Sequence, residues 1–488
     1  MAQYIGINFG TTNTSVVCIL ADEYGRKEPK YLGEDGKYPF SSIVAIPKNS
    51  DEPLLFGRKV RDRRHELSQT HDVYTSMKSY LGKPDRFGGN RYSAKDIVTV
   101  FFRHIKDYIK KTWEIDIISA SFSYPVDFTP EARRDLFDAA KDAGIEITML
   151  VNESTAACVS FLEECRNFSK VMVLDWGGGT FDISILNLSG TNIFELAVWG
   201  DHIGGDDIDR ELAERTHSQI AANSKIDGGR FEDMKHSERD DMLQNCETAK
   251  IEISNDYGDN YPLSLHSYGA YGRQRVKIFI EQLDDIVKLA VKKRVLTAID
   301  KALGIAELFP SSINGIIIVG GSSNLTAYIH AIRNHFKNAS IIYDANKTQW
   351  ATATGVALMQ IGDANLRLSE DVCVRMSNDD TFPIMKKGHP IGLESEPVSF
   401  ALVEESLYAR FIFTDTTGKN EYKMKTVPTK GLLNEGIILK ASIDTNQIAR
   451  VSFSNTYFKE NYAVAEIDKL NFHYDISSLV ETKTEVKI

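Results

Sequence analysis

The sequence predicts an α/β chain with mixed sheets over residues 1–362, followed by an all-β tail. Three observations carry this. Short β-branched runs alternate with longer amphipathic segments up to Gly362. A glycine-rich turn between two strand-forming runs occurs twice, and beyond Gly362 the helix-period segments stop. A chain of 488 residues corresponds to about three domains by length and buries an ample core without covalent staples.

The first half opens with strands from Tyr4 to Asn8 and from Ser15 to Leu20, joined by Phe9-Gly10-Thr11-Thr12-Asn13-Thr14. A helix follows through Ile97, Phe101, Ile105 and Ile109, which share one face. Thr129-Pro130-Glu131 starts another, with an N-cap hydroxyl and proline at the first helical position, and Gly144 stands where a helix should end. The second half repeats the plan. Strands from Val171 to Leu174 and from Ile183 to Leu186 flank Asp175-Trp176-Gly177-Gly178-Gly179-Thr180-Phe181-Asp182, and helices follow Gly205. A strand from Ile316 to Val319 then runs into Gly320-Gly321 and a helix through Leu325, Ile329, Ile332 and Phe336. Between Asp363 and Asp371 a linker is expected, with Leu366 and Leu368 among polar residues. In the tail, runs from Val398 to Val403 and from Tyr408 to Phe413, with turns at Thr417-Gly418-Lys419-Asn420 and Asp444-Thr445-Asn446, predict antiparallel strands. The expected domains are therefore 1–362, a linker at 363–371, and a β domain at 372–488.

An apolar content of 42% and a charged content of 26% are those of a globular chain. The formal net charge of −11 argues against nucleic-acid or acidic-membrane partners, which are held through clustered Lys and Arg. Five scattered cysteines without a C-x-x-C pair suit a reducing compartment. No membrane span is visible, and the strand at Tyr4-Ile5-Gly6-Ile7 begins too early for a signal peptide, so a cytoplasmic location is expected.

The two glycine-threonine loops are built to hold phosphates. Glycines let backbone N–H groups approach anionic oxygens, and threonine hydroxyls add donors beside them. Phosphates bring a metal, usually Mg²⁺, held largely through its water shell by a few carboxylates. Asp175, Asp182 and Glu153 are the candidates, the last at the end of an apolar strand from Met149 to Val151, where acids point into clefts.

Four segments also carry a family resemblance: Ile5-Gly6-Ile7-Asn8-Phe9-Gly10-Thr11-Thr12-Asn13, Asp175 to Asp182, Gly200-Asp201-His202-Ile203-Gly204-Gly205-Asp206-Asp207, and Ile318-Val319-Gly320-Gly321-Ser322-Ser323. In order and spacing they resemble the ATPase domain of the 70-kDa heat-shock chaperones (DnaK-type). The stretch from Gly436 to Ser452 resembles a hairpin of that family's peptide-binding β-sandwich. The resemblance implies an actin-like, two-lobed ATPase domain with ribonuclease H-like subdomains, then a C-terminal β-sandwich, with ATP/ADP and Mg²⁺ as cofactors. It implies that Thr11 and Thr12 contact the β- and γ-phosphates, that Lys78 orients attacking water and that Thr180 lies near the γ-phosphate. Glu153, Asp175 and Asp182 would hold the magnesium shell and the water, with Asn8 and Asp175 meeting the ion through water. Gly10, Asn13, Gly177, Gly178, Gly179, Gly204, Gly205 and Asp206 complete the phosphate cradle. Glu247, Lys250 and Ser254, on one helix face, would hold ribose and adenine, and Gly320, Gly321 and Ser322 would close over the base.

The chain departs from the family at several places. Asn8 replaces an aspartate, which removes one anionic charge near the metal and implies slow ATPase activity. Asn324 replaces an adenine-stacking arginine, and Gln349 falls near the place of an aspartate. Met149 replaces an arginine that engages J-domain co-chaperones and counts against such a partner, whereas Pro125 and Arg133 match residues that pass the nucleotide state to the linker. The segment from Lys83 to Tyr92 is shortened, and no room remains before Ile488 for a helical lid. The leading expectation is an ATP-binding, slowly hydrolysing chaperone-like protein whose nucleotide state modulates a domain that binds extended peptides or a dedicated protein partner. The alternative is a nucleotide-sensing scaffold with little or no ATPase activity. A sugar or acetate kinase of the same superfold is opposed by the β tail, as is an actin-like filament former.

Overall fold

The computed structural model describes residues 3–21, 27–49, 52–224, 226, 229–255, 258–361 and 364–477. Lobe I is built on a six-stranded sheet in the order Glu146–Asn152, Ser119–Tyr124, Gln3–Phe9, Asn13–Ala21, Lys27–Tyr31, with Phe40–Ser41 paired to Asn13–Ala21. The first three strands are parallel neighbours and the hairpins are antiparallel. Lobe II repeats the plan in the order Ser340–Ile342, Gly315–Val319, Lys170–Trp176, Phe181–Ser189, Asn192–Asp201. Two further strands extend that sheet, Phe472–Asp475 and then Asn365–Leu368.

Local chemistry accounts for the helices. Ala94–Trp113 starts in a capping box, where the Ser93 hydroxyl accepts from the Asp96 N–H and the Asp96 carboxylate accepts from the Ser93 N–H (2.8 Å). It buries Ile97, Phe101, Ile105 and Ile109 against lobe I. Pro130–Asp142 is capped by Thr129, whose hydroxyl accepts from the Ala132 N–H at 3.2 Å, and Gly144 follows its end with φ +75°. The segment expected to be shortened holds a small hairpin with two residues in each strand, Arg86–Phe87 and Tyr92–Ser93.

Helix Thr348–Ile361 lies at the base of both lobes, buried along most of its length. A Cβ on Gly6 would strike the Ala353 carbonyl, and one on Gly355 would strike the Ala156 carbonyl in helix Glu153–Ser160. Backbone therefore meets backbone on either side of this helix, which only glycine permits.

The tail forms two four-stranded antiparallel sheets. One has the order Thr381–Met385, Val372–Arg375, Tyr408–Thr414, Glu421–Pro428, and the other Val398–Ala401, Gly436–Ile443, Ala449–Asn455, Phe458–Ile467. Phe411, Phe413 and Phe453 fill the space between them. The predicted linker contains the strand Asn365–Leu368, and the boundary placed at 362/363 lies outside the described residues. Among the described residues no helix is long and apolar enough to cross a membrane.

Candidate functional site

Both glycine-threonine loops are hairpin turns. In the first, Ser42 fixes the backbone: its hydroxyl donates to the Gly10 carbonyl (2.8 Å) and its N–H to the Thr12 carbonyl (2.8 Å). In the second, the Gly177 N–H donates to the Thr180 carbonyl (2.9 Å), and the Ser322 hydroxyl donates to the Gly177 carbonyl (2.8 Å). The turns meet across the gap between lobes. A Cβ on Gly178 would collide with Thr12 Oγ1, and one on Gly179 would lie 3.3 Å from Thr11 Cγ2. Helix Gly205–Ser224 starts beneath the second turn, with the Gly205 N–H on the Gly177 carbonyl (3.0 Å) and the Asp206 N–H on the Gly178 carbonyl (2.8 Å). A side chain on Gly204 would strike the Gly178 carbonyl.

These elements open into a cavity of about 570 Å³, within the size range of small-molecule sites. Asn8, Gly10, Thr11, Thr12, Asn13, Lys78, Glu153, Asp175, Gly177, Gly178, Thr180, Gly205, Asp206, Glu247, Lys250, Ser254, Gly320, Gly321 and Ser322 all line it. Gly179, Gly204 and Asp182 are outside that lining. Asp182 is turned toward lobe I, where its Oδ1 accepts from the Val126 N–H at 3.1 Å.

The floor is acidic. Lys78 Nζ pairs with Glu153 Oε1 at 2.5 Å, and both side chains are buried. Burial pushes Asp175 up to about 7, with the Glu153 charge adding to the rise and Lys78 opposing it. Asp182 is raised well above the usual carboxylate range by burial, then by Asp127, Glu153 and Asp175. Glu153 and Asp175 thus share one ammonium, with the buried Asp182 carboxylate close enough to repel both, an arrangement that a divalent cation relieves. Carboxylates that line the cavity, Glu153, Asp175 and Asp206 among them, are the oxygen donors that suit Mg²⁺ and its water shell.

Residues 51–361 match the sequence model of the family described as Hsp70 protein. The chain belongs to the Hsp70 family. The "Chaperone protein DnaK" of Mycoplasmopsis synoviae (strain 53) is 29% identical over 328 residues, covering 66% of this chain and 52% of that protein. The chain thus spans about half the length of that curated relative. The two lobes are the actin-like architecture of the Hsp70 ATPase domain.

Partners within the chain hold several of the polar side chains around the cavity. The Asn8 amide meets the Ser123 hydroxyl at 3.0 Å and lines the cavity as an uncharged group. Lys250 Nζ is buried on Asp209 Oδ2 (2.6 Å) and the Gly205 carbonyl (3.0 Å), so it holds up the second turn. The Ser254 hydroxyl donates to the Lys250 carbonyl (2.7 Å) within its own helix. At Asn324, Oδ1 accepts from the Tyr343 hydroxyl (2.7 Å).

Sequence reasoning missed the roof of the cleft. Arg61 Nη2 of lobe I pairs with Glu247 Oε1 of lobe II at 2.8 Å, Gln244 Nε2 donates to the Arg61 carbonyl (2.8 Å), and Arg64 Nη2 donates to the Asp240 carbonyl (3.1 Å). The basic run from Arg58 to Arg64 was the available signal, without an indication of its partners. Arg61→Ala is expected to speed release of a bound fluorescent nucleotide a few-fold in stopped flow, the scale of one partly exposed ion pair; an unchanged rate would remove this latch from the release path.

Proposed function

We propose that this Hsp70-family chain binds Mg-ATP between its lobes, hydrolyses it slowly, and uses the nucleotide state to modulate the β-sandwich as a peptide- or partner-binding module. The observation that carries this reading is the contact between the two turns, Thr12 against Gly178 and Thr11 against Gly179. One triphosphate lodged there is gripped from both lobes, so its occupancy biases lobe closure. Glu153 and Asp175 would face the water shell of Mg²⁺, which supplies neutralisation of phosphate charge. Lys78, fixed by Glu153, orients a water, and Thr180 on the second turn lines the same cavity. The sandwich offers a surface suited to apolar peptide segments: neighbouring loops carry exposed Val403, Leu407, Leu432 and Leu433. They are joined by the Thr429 N–H on the Leu407 carbonyl (2.9 Å) and the Asn434 N–H on the Leu402 carbonyl (3.1 Å).

The uncharged Asn8 favours a second reading, a nucleotide-sensing scaffold with little turnover, because a neutral amide stands where a carboxylate would assist hydrolysis. Mg-ATP binding and single-turnover hydrolysis, measured for the wild type and for Asn8→Asp, separate the two. Wild-type binding with slow turnover, raised at least about ten-fold by the substitution (about 1.4 kcal/mol), is expected. Turnover that stays nil in both chains supports the scaffold, and absence of nucleotide binding overturns both.

The floor also fixes a pH dependence. Asp175, held up at about 7, contributes stability at low pH that is lost as pH rises from the ordinary carboxylate range through about 7, because ionisation is penalised in the folded state. Asp182 acts in the same direction. Without ligand the chain is therefore expected to melt lower at pH 8 than at pH 6. The increase in Tm on adding Mg²⁺ with ADP should be larger at pH 8, where the carboxylates are ionised. An increase independent of pH would detach these acids from the cation.

A further inference from the structure

The chain runs into the sandwich through the incoming strand Asn365–Leu368 and leaves through the returning strand Phe472–Asp475, and the two pair antiparallel at the edge of the lobe II sheet. The returning strand is the inner one. It pairs with lobe II in the register Asn192↔Asp475, Ile193↔Tyr474, Phe194↔His473, and the incoming strand joins the sheet across it, Leu366↔Tyr474 and Leu368↔Phe472. The connection that leads into the sandwich is thus attached to lobe II through the segment that comes after the sandwich.

Side chains anchor the returning strand along its length. Phe472, Tyr474 and Ile476 are buried. The His473 ring stacks on Phe194 at 4.2 Å with Nε2 2.6 Å from Asn192 Oδ1, and the Ile476 N–H donates to the Thr191 carbonyl (2.8 Å). The buried Glu195 carboxylate accepts from the Phe472 N–H (2.9 Å), the Tyr474 hydroxyl (3.3 Å) and the Thr155 hydroxyl (2.6 Å). Two of those three donors belong to the returning strand, and loss of that strand would strand a buried acid with one.

Lobe I holds the same sandwich by other means. The Arg133 guanidinium donates to the carbonyls of Asn446 (3.1 Å), Gln447 (3.1 Å) and Asp468 (2.8 Å). Tyr124 Oη bonds Gln447 Oε1, and Arg134 Nη1 pairs with Glu466 at 3.0 Å. These are side-chain contacts to the 444–448 turn, to the Asp468 carbonyl and to Glu466 in the strand Phe458–Ile467, which rotation of lobe I relative to lobe II would break as a group. The lobe II attachment is a backbone ladder continuous with the sandwich, and it must be unzipped.

We propose that the returning strand is a permanent strap that keeps the sandwich on lobe II in every nucleotide state, so that lobe rotation opens and closes the lobe I face around Arg133. The proposal rests on the nucleotide reading of the cleft only for what drives the rotation. The sandwich then tilts on a lobe II hinge and is never released.

Hydrogen exchange of the full chain without nucleotide, with Mg-ADP and with Mg-ATP tests this, with nucleotide occupancy measured in the same samples. Amides of residues 192–194 and 472–475 should keep exchange rates within about three-fold across the states, while those of 444–448 change by about ten-fold or more. Arg133→Ala should raise exchange at 444–448 and leave the strap protected. Loss of strap protection together with 444–448, in any state or in Arg133→Ala, would overturn the strap. An invariant 444–448 turn at full occupancy would overturn the coupling. If no nucleotide binds, the function proposed for the cleft fails, and Arg133→Ala alone then decides the strap.

Discussion

A Gly178→Val chain is expected to fold normally and to lose Mg-ATP affinity by at least about a hundred-fold, or about 2.7 kcal/mol. The backbone at Gly178 is outside the left-handed region that favours glycine, so valine costs the turn little by itself. The cost arises across the cleft. A Cβ there runs into Thr12 Oγ1 and lies 3.4 Å from Asp206 Oδ1, and valine adds two methyl groups to it. The turns are forced apart where they should converge on one phosphate chain. Calorimetric titration with ATP and Mg²⁺, beside a thermal melt without nucleotide, measures both halves of the expectation. Undiminished affinity in a folded variant would mean that the two turns do not share a ligand, and the function proposed for the cleft would fall.

The second large effect is expected from Arg133→Ala. Arg133 is 2% exposed and lies over the Tyr124 ring at 4.5 Å, so its charge is held away from water by the three carbonyls it serves. Truncation leaves buried acceptors without a donor at about 1–3 kcal/mol each, and the contact between lobe I and the sandwich should weaken by roughly 3 kcal/mol or more. Protease sensitivity at 444–448 and a separate unfolding step for the sandwich are the expected signs. Arg134→Ala serves as the control. Its pair with Glu466 is about a third exposed on the arginine side, and such pairs contribute within about 1 kcal/mol. Equal effects from the two substitutions would show that burial of Arg133 is not what holds the contact.

The features legible in the sequence are those set by neighbours along the chain. The capped start at Thr129, the apolar stripe through Ile97, Phe101, Ile105 and Ile109, and both glycine turns depend on residues within a few positions of each other. The cleft was legible as a set of candidates because the chemistry of phosphate demands glycine, hydroxyl and carboxylate at strand ends. What stayed hidden depends on distant partners. Lys250 also pairs with Asp209 on another helix, and Asn8 also meets the Ser123 hydroxyl, contacts that no local pattern announces. The pairing of Arg61 with Glu247 crosses 186 positions. The returning strand did leave a trace, an alternation of buried Phe472, Tyr474 and Ile476 with His473 and Asp475. Nothing local says that its partner is lobe II.

The bare contacts of helix Thr348–Ile361, at Gly6 on one side and Gly355 on the other, place a fulcrum at the base of the molecule. Main chain pressed on main chain has no side-chain rotamers to yield, which favours swinging of the lobes over sliding at that level. Displacement then grows with height above that line, and a tilt too small to disturb the Lys78–Glu153 pair on the floor is magnified at the rim where Arg61 meets Glu247. A methyl group at either glycine would press on main chain, the Ala353 carbonyl for Gly6 and the Ala156 carbonyl for Gly355, and would fit only if the helix moved.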